Sequence, residues 1–77
     1  MKTTFIDSNG VEVEGVVLYT SFVFNIYTYQ VYDEIIYAQN RLIRLRHKAK
    51  FDNKGNYIEL EPEIETINNY VVIPELN

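Results

Sequence analysis

The sequence predicts a mainly β protein, built as a small antiparallel β-barrel or a strongly curved sheet of about five strands. Segments rich in Val, Ile, Tyr, Phe and Thr, which favour strands, make up most of the chain. Clusters of turn-forming and polar residues separate these segments at residues 7–10, 39–40, 52–56 and 68–69. With 77 residues, the chain is expected to form a single domain over residues 1–77.

A hairpin is predicted at the N-terminus, with residues 3–7 paired to residues 11–19. A three-residue loop with Gly10 in the left-handed conformation would place Phe5 opposite Val13. A two-residue turn would instead place two acidic side chains opposite each other, which is unfavourable. The register that pairs Phe5 with Val13 is therefore preferred.

A further strand is predicted over residues 22–32. Both of its faces are largely apolar, so this strand is either covered on both sides or lends one face to a partner. Tyrosine gives a large contact area at a low entropy cost and is enriched at interfaces. The candidate partner-binding residues are therefore the five aromatic side chains of this strand: Phe22, Phe24, Tyr27, Tyr29 and Tyr32.

Two oppositely charged segments predict a second hairpin, in which residues 44–51 pair with residues 57–65. Basic side chains occupy alternate positions of the first segment, and glutamates occupy alternate positions of the second. A four-residue loop at 53–56 would satisfy both faces, because apolar side chains would then meet along the other side. Pro62 lacks an amide hydrogen, which predicts an edge strand or a bulge there. The predicted ion pairs are Lys50–Glu59, Lys48–Glu61, Arg46–Glu63 and Arg44–Glu65.

A helix over residues 33–49 is the alternative, and it would make the fold α+β. Apolar residues in this range are also spaced three and four apart, and the charges at its two ends suit the helix dipole. The strand interpretation is preferred because a helix leaves the matching acidic alternation of residues 59–65 unexplained. A last short strand is predicted at residues 70–73, ended by Pro74.

The composition argues against several classes of function. The chain has no Cys and one His, which removes disulfides, thiol chemistry and the usual zinc sites. We predict no catalytic residue, no metal site and no cofactor. The N-terminus has no apolar leader segment, and no stretch is long and apolar enough to span a bilayer. The chain is therefore expected to be cytoplasmic and free of membrane contact.

The sequence favours a non-enzymatic protein–protein interaction module. A chain this short gains only about 3–5 kcal/mol from one core, and it has no disulfide to add to that. Association with itself as a homo-oligomer, or with a protein partner, is the common remedy. The size also suggests an accessory protein of a phage or mobile element, either a virion component or an inhibitor of a host protein.

Binding of single-stranded nucleic acid is the alternative function. Residues 41–54 hold six of the seven cations, and positive charge combined with tyrosine stacking is typical of single-strand binders. Against this, residues 57–77 carry five glutamates, so the predicted hairpin would neutralise much of the basic charge itself. The candidate nucleic-acid contacts are Arg41, Arg44, Arg46, Lys48 and Lys50.

Overall fold

The computed structural model describes residues 1–76 and contains five antiparallel strands and one turn of 3-10 helix. The elements are β1 (Lys2–Ile6), β2 (Glu12–Ile26), β3 (Tyr29–Ala38), β4 (Arg41–Phe51), β5 (Tyr57–Asn68) and the 3-10 turn Pro74–Leu76. Each strand pairs with its neighbours in the sequence, so the spatial order is β1-β2-β3-β4-β5. The sheet curls into a half-barrel, which confirms the predicted mainly β fold of about five strands.

The alternative helix over residues 33–49 is wrong, because this range forms most of β3 and β4. The two strands are joined by a two-residue turn at Gln39 and Asn40, whose φ angles are +53° and +61°. Two consecutive positive φ angles are the mark of a type I′ turn, whose twist suits a tight hairpin. The two-residue turn sets Ile36 opposite Ile43 across the hairpin, and both side chains are buried.

The buried core cluster lies on one face of the sheet, while Val31, Ile35 and Tyr37 of β3 are buried on the other face. Ile64 of β5 packs against the same buried cluster as Phe5 of β1, although the two strands lie at opposite edges of the sheet. The sheet must therefore curl around this side, which we call the concave face; the opposite side is the convex face. The buried apolar side chains of the cluster are Phe5, Val13, Ile36, Ala38, Ile43 and Leu45.

Gly15 permits the close approach between β2 and β3 that accompanies this curl. A Cβ atom at position 15 would lie 2.6 Å from Cγ2 of Ile36 and 2.8 Å from the carbonyl oxygen of Tyr37. Both distances are shorter than real carbon contacts, and one of the two atoms belongs to the backbone. A glycine inside a strand typically marks such a close approach.

The predicted N-terminal hairpin register is confirmed, since Phe5 pairs with Val13. Gly10, with φ of +78°, has the predicted left-handed conformation. The Asp7 carboxylate accepts hydrogen bonds of 2.9 Å from the backbone amides of Asn9 and Val11. These bonds hold the loop closed without help from the rest of the fold.

The loop between β4 and β5 is closed in the same way, by an aspartate carboxylate and a glycine with positive φ. The Asp52 carboxylate accepts hydrogen bonds from the amides of Lys54 (2.8 Å) and Asn56 (2.9 Å), and Gly55 has φ of +80°. The Asn56 side-chain hydrogen bond and these amides lower the pKa of Asp52. Phe51 and Tyr57 lie directly opposite each other at the end of this hairpin. The loop between them therefore spans residues 52–56, and the predicted four-residue loop at 53–56 is one residue too short.

The single strand predicted over residues 22–32 is wrong. β2 continues to Ile26, a turn at Tyr27 and Thr28 reverses the chain, and Ile26 pairs with Tyr29. Neither turn residue is Gly, Asn, Asp or Pro, so the local sequence carries no turn signal. The turn follows from the long pairing of β2 with β3, which places the reversal at this position.

The strand predicted at residues 70–73 is also wrong. The amide of Tyr70 donates to the Asn68 side chain at 3.1 Å, and the amide of Val71 donates to the carbonyl oxygen of Asn40 at 2.6 Å. This segment is therefore tied to the turn between β3 and β4, and it does not pair back along β5.

The molecule is elongated. Its radius of gyration is 14.1 Å and its longest dimension is 46 Å, whereas a compact chain of this length has a radius of gyration of about 11–12 Å. β1 pairs only with residues 12–16 of β2, at one end of the sheet. We call the other end, residues 22–32 and 47–61, the distal lobe; there the sheet has four strands.

The Gly15→Ala variant is expected to be less stable than the wild type by about 1–3 kcal/mol, because the added methyl group overpacks the contact between β2 and β3. Urea unfolding measures the effect as a lower midpoint. Glu12→Ala, an exposed position of the same strand, is the matched control. Equal midpoints for Gly15→Ala and the wild type would show that the strands have room to separate.

Candidate partner-binding surface

The register between β4 and β5 changes part-way along the hairpin. In the half near the core, Arg44 lies opposite Glu65 and Arg46 opposite Glu63, which is the predicted register, but the predicted ion pair of Arg46 with Glu63 is wrong because Arg46 binds Asp33. A bulge at Glu61 and Pro62 then shifts the pairing by one residue, so Lys48 lies opposite Leu60 and Lys50 opposite Ile58. The predicted pairing of Lys48 with Glu61 and of Lys50 with Glu59 is therefore wrong. The bulge expected at Pro62, on an edge strand, is confirmed.

Strand β4 forms three ion pairs on the convex face. The Arg46 guanidinium donates two hydrogen bonds, of 2.8 and 3.0 Å, to the Asp33 carboxylate of β3. Arg44 donates to Glu65 at 2.5 Å, and Lys48 donates to Glu63 at 2.6 Å. The hydrogen bond from Arg46 lowers the pKa of Asp33, and the hydrogen bond from Lys48 lowers the pKa of Glu63.

The basic face predicted from residues 41–51 is therefore largely neutralised within the chain. Of the five candidate nucleic-acid contacts, three hold carboxylates, and Arg41 donates to the Gln39 side chain at 2.5 Å. Lys50, which is exposed, has no ion pair within 4.0 Å among residues 1–76. Sequence reasoning missed Asp33 as a partner of Arg46, since it gave all four cations to the glutamates.

The bulge turns Glu59 and Glu61 away from the lysines. Glu59 lies opposite Ala49 and, with Glu61, lines a cleft of about 650 Å³ between β1 and β5. Phe5 and Ile64 of the core region line the same cleft, which places both glutamates on the concave side. The two free glutamates and Lys50 are thus on opposite faces of the sheet.

His47 lies on the concave face beside an acidic and an aromatic neighbour. Its Nε2–H donates to the Glu34 carboxylate, and its ring stacks on Tyr32 with 4.6 Å between ring centres. Burial raises the pKa of the Tyr32 hydroxyl, and the charges of Glu34 and Glu59 raise it further. The sequence does not indicate that Glu34 is the partner of His47, because the pairing of β3 with β4 was not predicted.

The predicted partner-binding aromatics divide between the two faces of the distal lobe. Phe22 lies against Tyr32 on the concave face, with 6.1 Å between ring centres. Phe24 lies against Tyr29 on the convex face, with 6.0 Å between ring centres. Tyr27 lies at the turn and is 94 % exposed. Four of the five residues thus form two ring pairs back to back.

The tip of the lobe carries a second, open depression of about 630 Å³. It lies between the turn that contains Tyr27 and the loop that contains Asp52, and Ile26 and Phe51 line it. A 3.0 Å hydrogen bond from the Phe51 amide to the Thr28 carbonyl oxygen joins the two connections. The tip is therefore held as one unit.

Comparison of the chain with family models, with curated proteins and with solved structures gave no match. Within residues 1–76, no helix has the length and apolar character needed to cross a bilayer. In the same range, no three His, Asp or Glu side chains lie close enough together to hold a metal ion. The surface itself is therefore the basis for any functional inference.

Reciprocal charge reversal tests whether Lys48 is a structural residue. Lys48→Glu and Glu63→Lys should each lower the urea midpoint, because each sets two like charges 2.6 Å apart or forces them to separate. The double variant should recover most of the loss, since the pair is restored in reverse. Lys54→Glu is the matched control, because Lys54 is exposed and has no ion pair in the described chain. Equal midpoints for both single variants and the wild type would contradict a structural role.

Acid is expected to weaken the fold in part through Asp33. Its pKa in the folded chain is lowered by the Arg46 hydrogen bond, below the value of about 3.9 in an unfolded chain. The contribution of the charged pair is therefore complete above about pH 4 and is lost as the pH falls through the lowered folded value. Urea midpoints from pH 7 to pH 2 should fall less steeply in Asp33→Asn, which starts from a lower midpoint at pH 7. An acid dependence identical to that of the wild type would contradict this role.

Proposed function

We propose that the chain is a non-enzymatic protein–protein interaction module that associates with itself through the distal lobe. The observation that carries the proposal is the exposure of large apolar side chains on this lobe. Phe22 is 73 % exposed and Tyr27 is 94 % exposed. Contiguous exposed apolar surface on a small domain typically marks an interaction site. The exposed apolar residues of the lobe are Phe22, Val23, Phe24, Ile26, Tyr27, Tyr57 and Ile58.

The size of the accessible surface area also supports self-association. The chain exposes 5571 Å², whereas a folded monomer of 9.1 kDa exposes about 4,900 Å². The excess of about 700 Å² is close to the roughly 800 Å² that each partner buries in an interface of standard size. One such contact per chain would bring the exposed area to that of an ordinary folded protein.

The faces of the lobe suit this contact better than the free edge of β5. Pro62 has no amide hydrogen to offer a further strand, and the bulge beside it interrupts the edge. Charged residues also alternate along β5, and features of this kind prevent edge-to-edge pairing. Association by packing of side chains on the lobe is therefore favoured over strand addition at β5.

The narrower expectations stay predictions. These are the phage or mobile-element origin, the cytoplasmic location and the absence of an enzymatic activity. The alternative of nucleic-acid binding is weakened by the ion pairs of Arg44, Arg46 and Lys48. It would require Lys50, Lys54 and Arg41 to carry most of the contact with phosphates, which needs several cations.

The proposal predicts that the measured mass exceeds 9.1 kDa at high micromolar concentration and falls on dilution. Light scattering coupled to gel filtration, followed by sedimentation equilibrium, measures both. Phe24→Thr should raise the dissociation constant at least about tenfold, since buried aromatic side chains at interfaces contribute more than about 1–2 kcal/mol.

The matched control is Ile67→Thr. Ile67 is a similarly exposed residue, on β5 outside the lobe, and its replacement should leave the dissociation constant unchanged. A wild-type chain that stays at 9.1 kDa at every concentration contradicts the proposal, as does an equal effect of both variants. Retention of single-stranded DNA by the wild type, weakened by salt, would support the alternative.

A further inference from the structure

The bulge at Glu61 and Pro62 separates charges that a regular hairpin would pair. With continuous register, Lys50 would face Glu59 on one side of the sheet. In the structure Lys50 lies opposite Ile58 on the convex face, and Glu59 lies opposite Ala49 on the concave face. The chain thus gives up ion pairs that its own sequence could form. Bulges that interrupt a ladder in this way commonly lie next to functional sites.

The two faces of the lobe consequently differ in charge. On the concave face, Glu59, Glu61 and Asp7 line the cleft, and no Lys or Arg lines it. On the convex face, Lys48 is already paired with Glu63, which leaves Lys50 as an exposed, unpaired cation. Contact between two concave faces would bring carboxylates together, and contact between two convex faces would bring lysines together. Like charges across an interface oppose both arrangements.

The convex face of one copy and the concave face of another are complementary in three respects. A convex surface fits into a concave one, Lys50 meets Glu59 and Glu61, and each face offers an aromatic ring pair whose phenylalanine is exposed. The concave pair is Phe22 with Tyr32, and the convex pair is Phe24 with Tyr29. The excess exposed area of about 700 Å² is close to the roughly 800 Å² that one face buries in a standard interface, and a chain that uses both faces buries about twice that area.

We propose that the convex face of the distal lobe of one chain docks into the concave face of the distal lobe of a second copy. This inference rests on the proposed self-association and specifies its geometry. Lys50 of one copy lies against Glu59 and Glu61 of the other, and the ring pair of Phe24 lies against that of Phe22. The contact is heterologous, so each chain has one donor face and one acceptor face, and copies add in rings or open chains.

Two complementary variants test the geometry. The convex variant, Phe24→Thr with Lys50→Glu, keeps a native concave face. The concave variant, Phe22→Thr with Glu59→Lys, keeps a native convex face. All four positions are exposed, and circular dichroism establishes that both variants are folded. Each variant alone should be monomeric at concentrations where the wild type associates. A 1:1 mixture should form a dimer of twice 9.1 kDa, because one native interface remains.

The outcomes separate this inference from the proposed function. A wild type that remains monomeric overturns both. An associating wild type whose variants do not combine when mixed overturns the nested geometry and leaves self-association standing. The same holds if either variant alone associates as strongly as the wild type, since that indicates contact between identical faces.

Cross-linking of the unaltered chain gives a second test that does not depend on the folding of any variant. A carbodiimide joins a lysine amine to a carboxylate only where the two are in contact. In a mixture of ¹⁴N and ¹⁵N chains, mass spectrometry should find mixed-isotope links from Lys50 to Glu59 or Glu61. Links from Lys50 that occur only within one chain, or only to carboxylates of the convex face such as Glu63 or Glu65, overturn the nested geometry.

Discussion

A one-residue conflict in register between the two ends of the β4–β5 hairpin determines the surface of this protein. At the loop, the Asp52 carboxylate and Gly55 close a tight turn that sets Phe51 opposite Tyr57. Near the core, Leu45 is buried opposite Ile64, and this pairing requires a register one residue different. The bulge at Pro62 accommodates this difference in register. Because Pro62 has no amide hydrogen, the bulge there sacrifices no hydrogen bond that this residue could donate to β4. Loop chemistry and core packing together therefore decide which glutamates meet lysines.

The curl of the sheet and this bulge act on different parts of the chain. Close packing at Gly15 lets β1 and the start of β2 enclose the core cluster at one end. The distal lobe lies beyond the residues of β2 that pair with β1, and it keeps apolar side chains exposed on both faces. In the proposed assembly, stability and association therefore depend on opposite ends of one sheet. The two unlike faces of the lobe support the proposal that a second copy of the chain covers them.

The fold could be predicted from local patterns wherever turn chemistry and alternation agree. Phe5 opposite Val13 and Arg44 opposite Glu65 follow from such agreement. The turn at Tyr27 and Thr28 has no local signal, so β2 and β3 could not be separated from sequence. The partners of Arg46 and His47 could not be predicted either, because Asp33 and Glu34 reach them only through the β3–β4 pairing. The aromatic residues of the candidate surface were predictable as a set, but their division between two faces was not.

Contacts between aromatic rings of different copies test the nested association most directly. In a 1:1 mixture of isotope-labelled and unlabelled wild-type chains, isotope-filtered nuclear Overhauser spectra report only contacts between copies. The account predicts cross-peaks between the ring of Phe24 in one copy and the rings of Phe22 or Tyr32 in another. Cross-peaks that join Phe24 to Phe24 or Phe22 to Phe22, or intermolecular contacts that lie entirely outside the distal lobe, would contradict it.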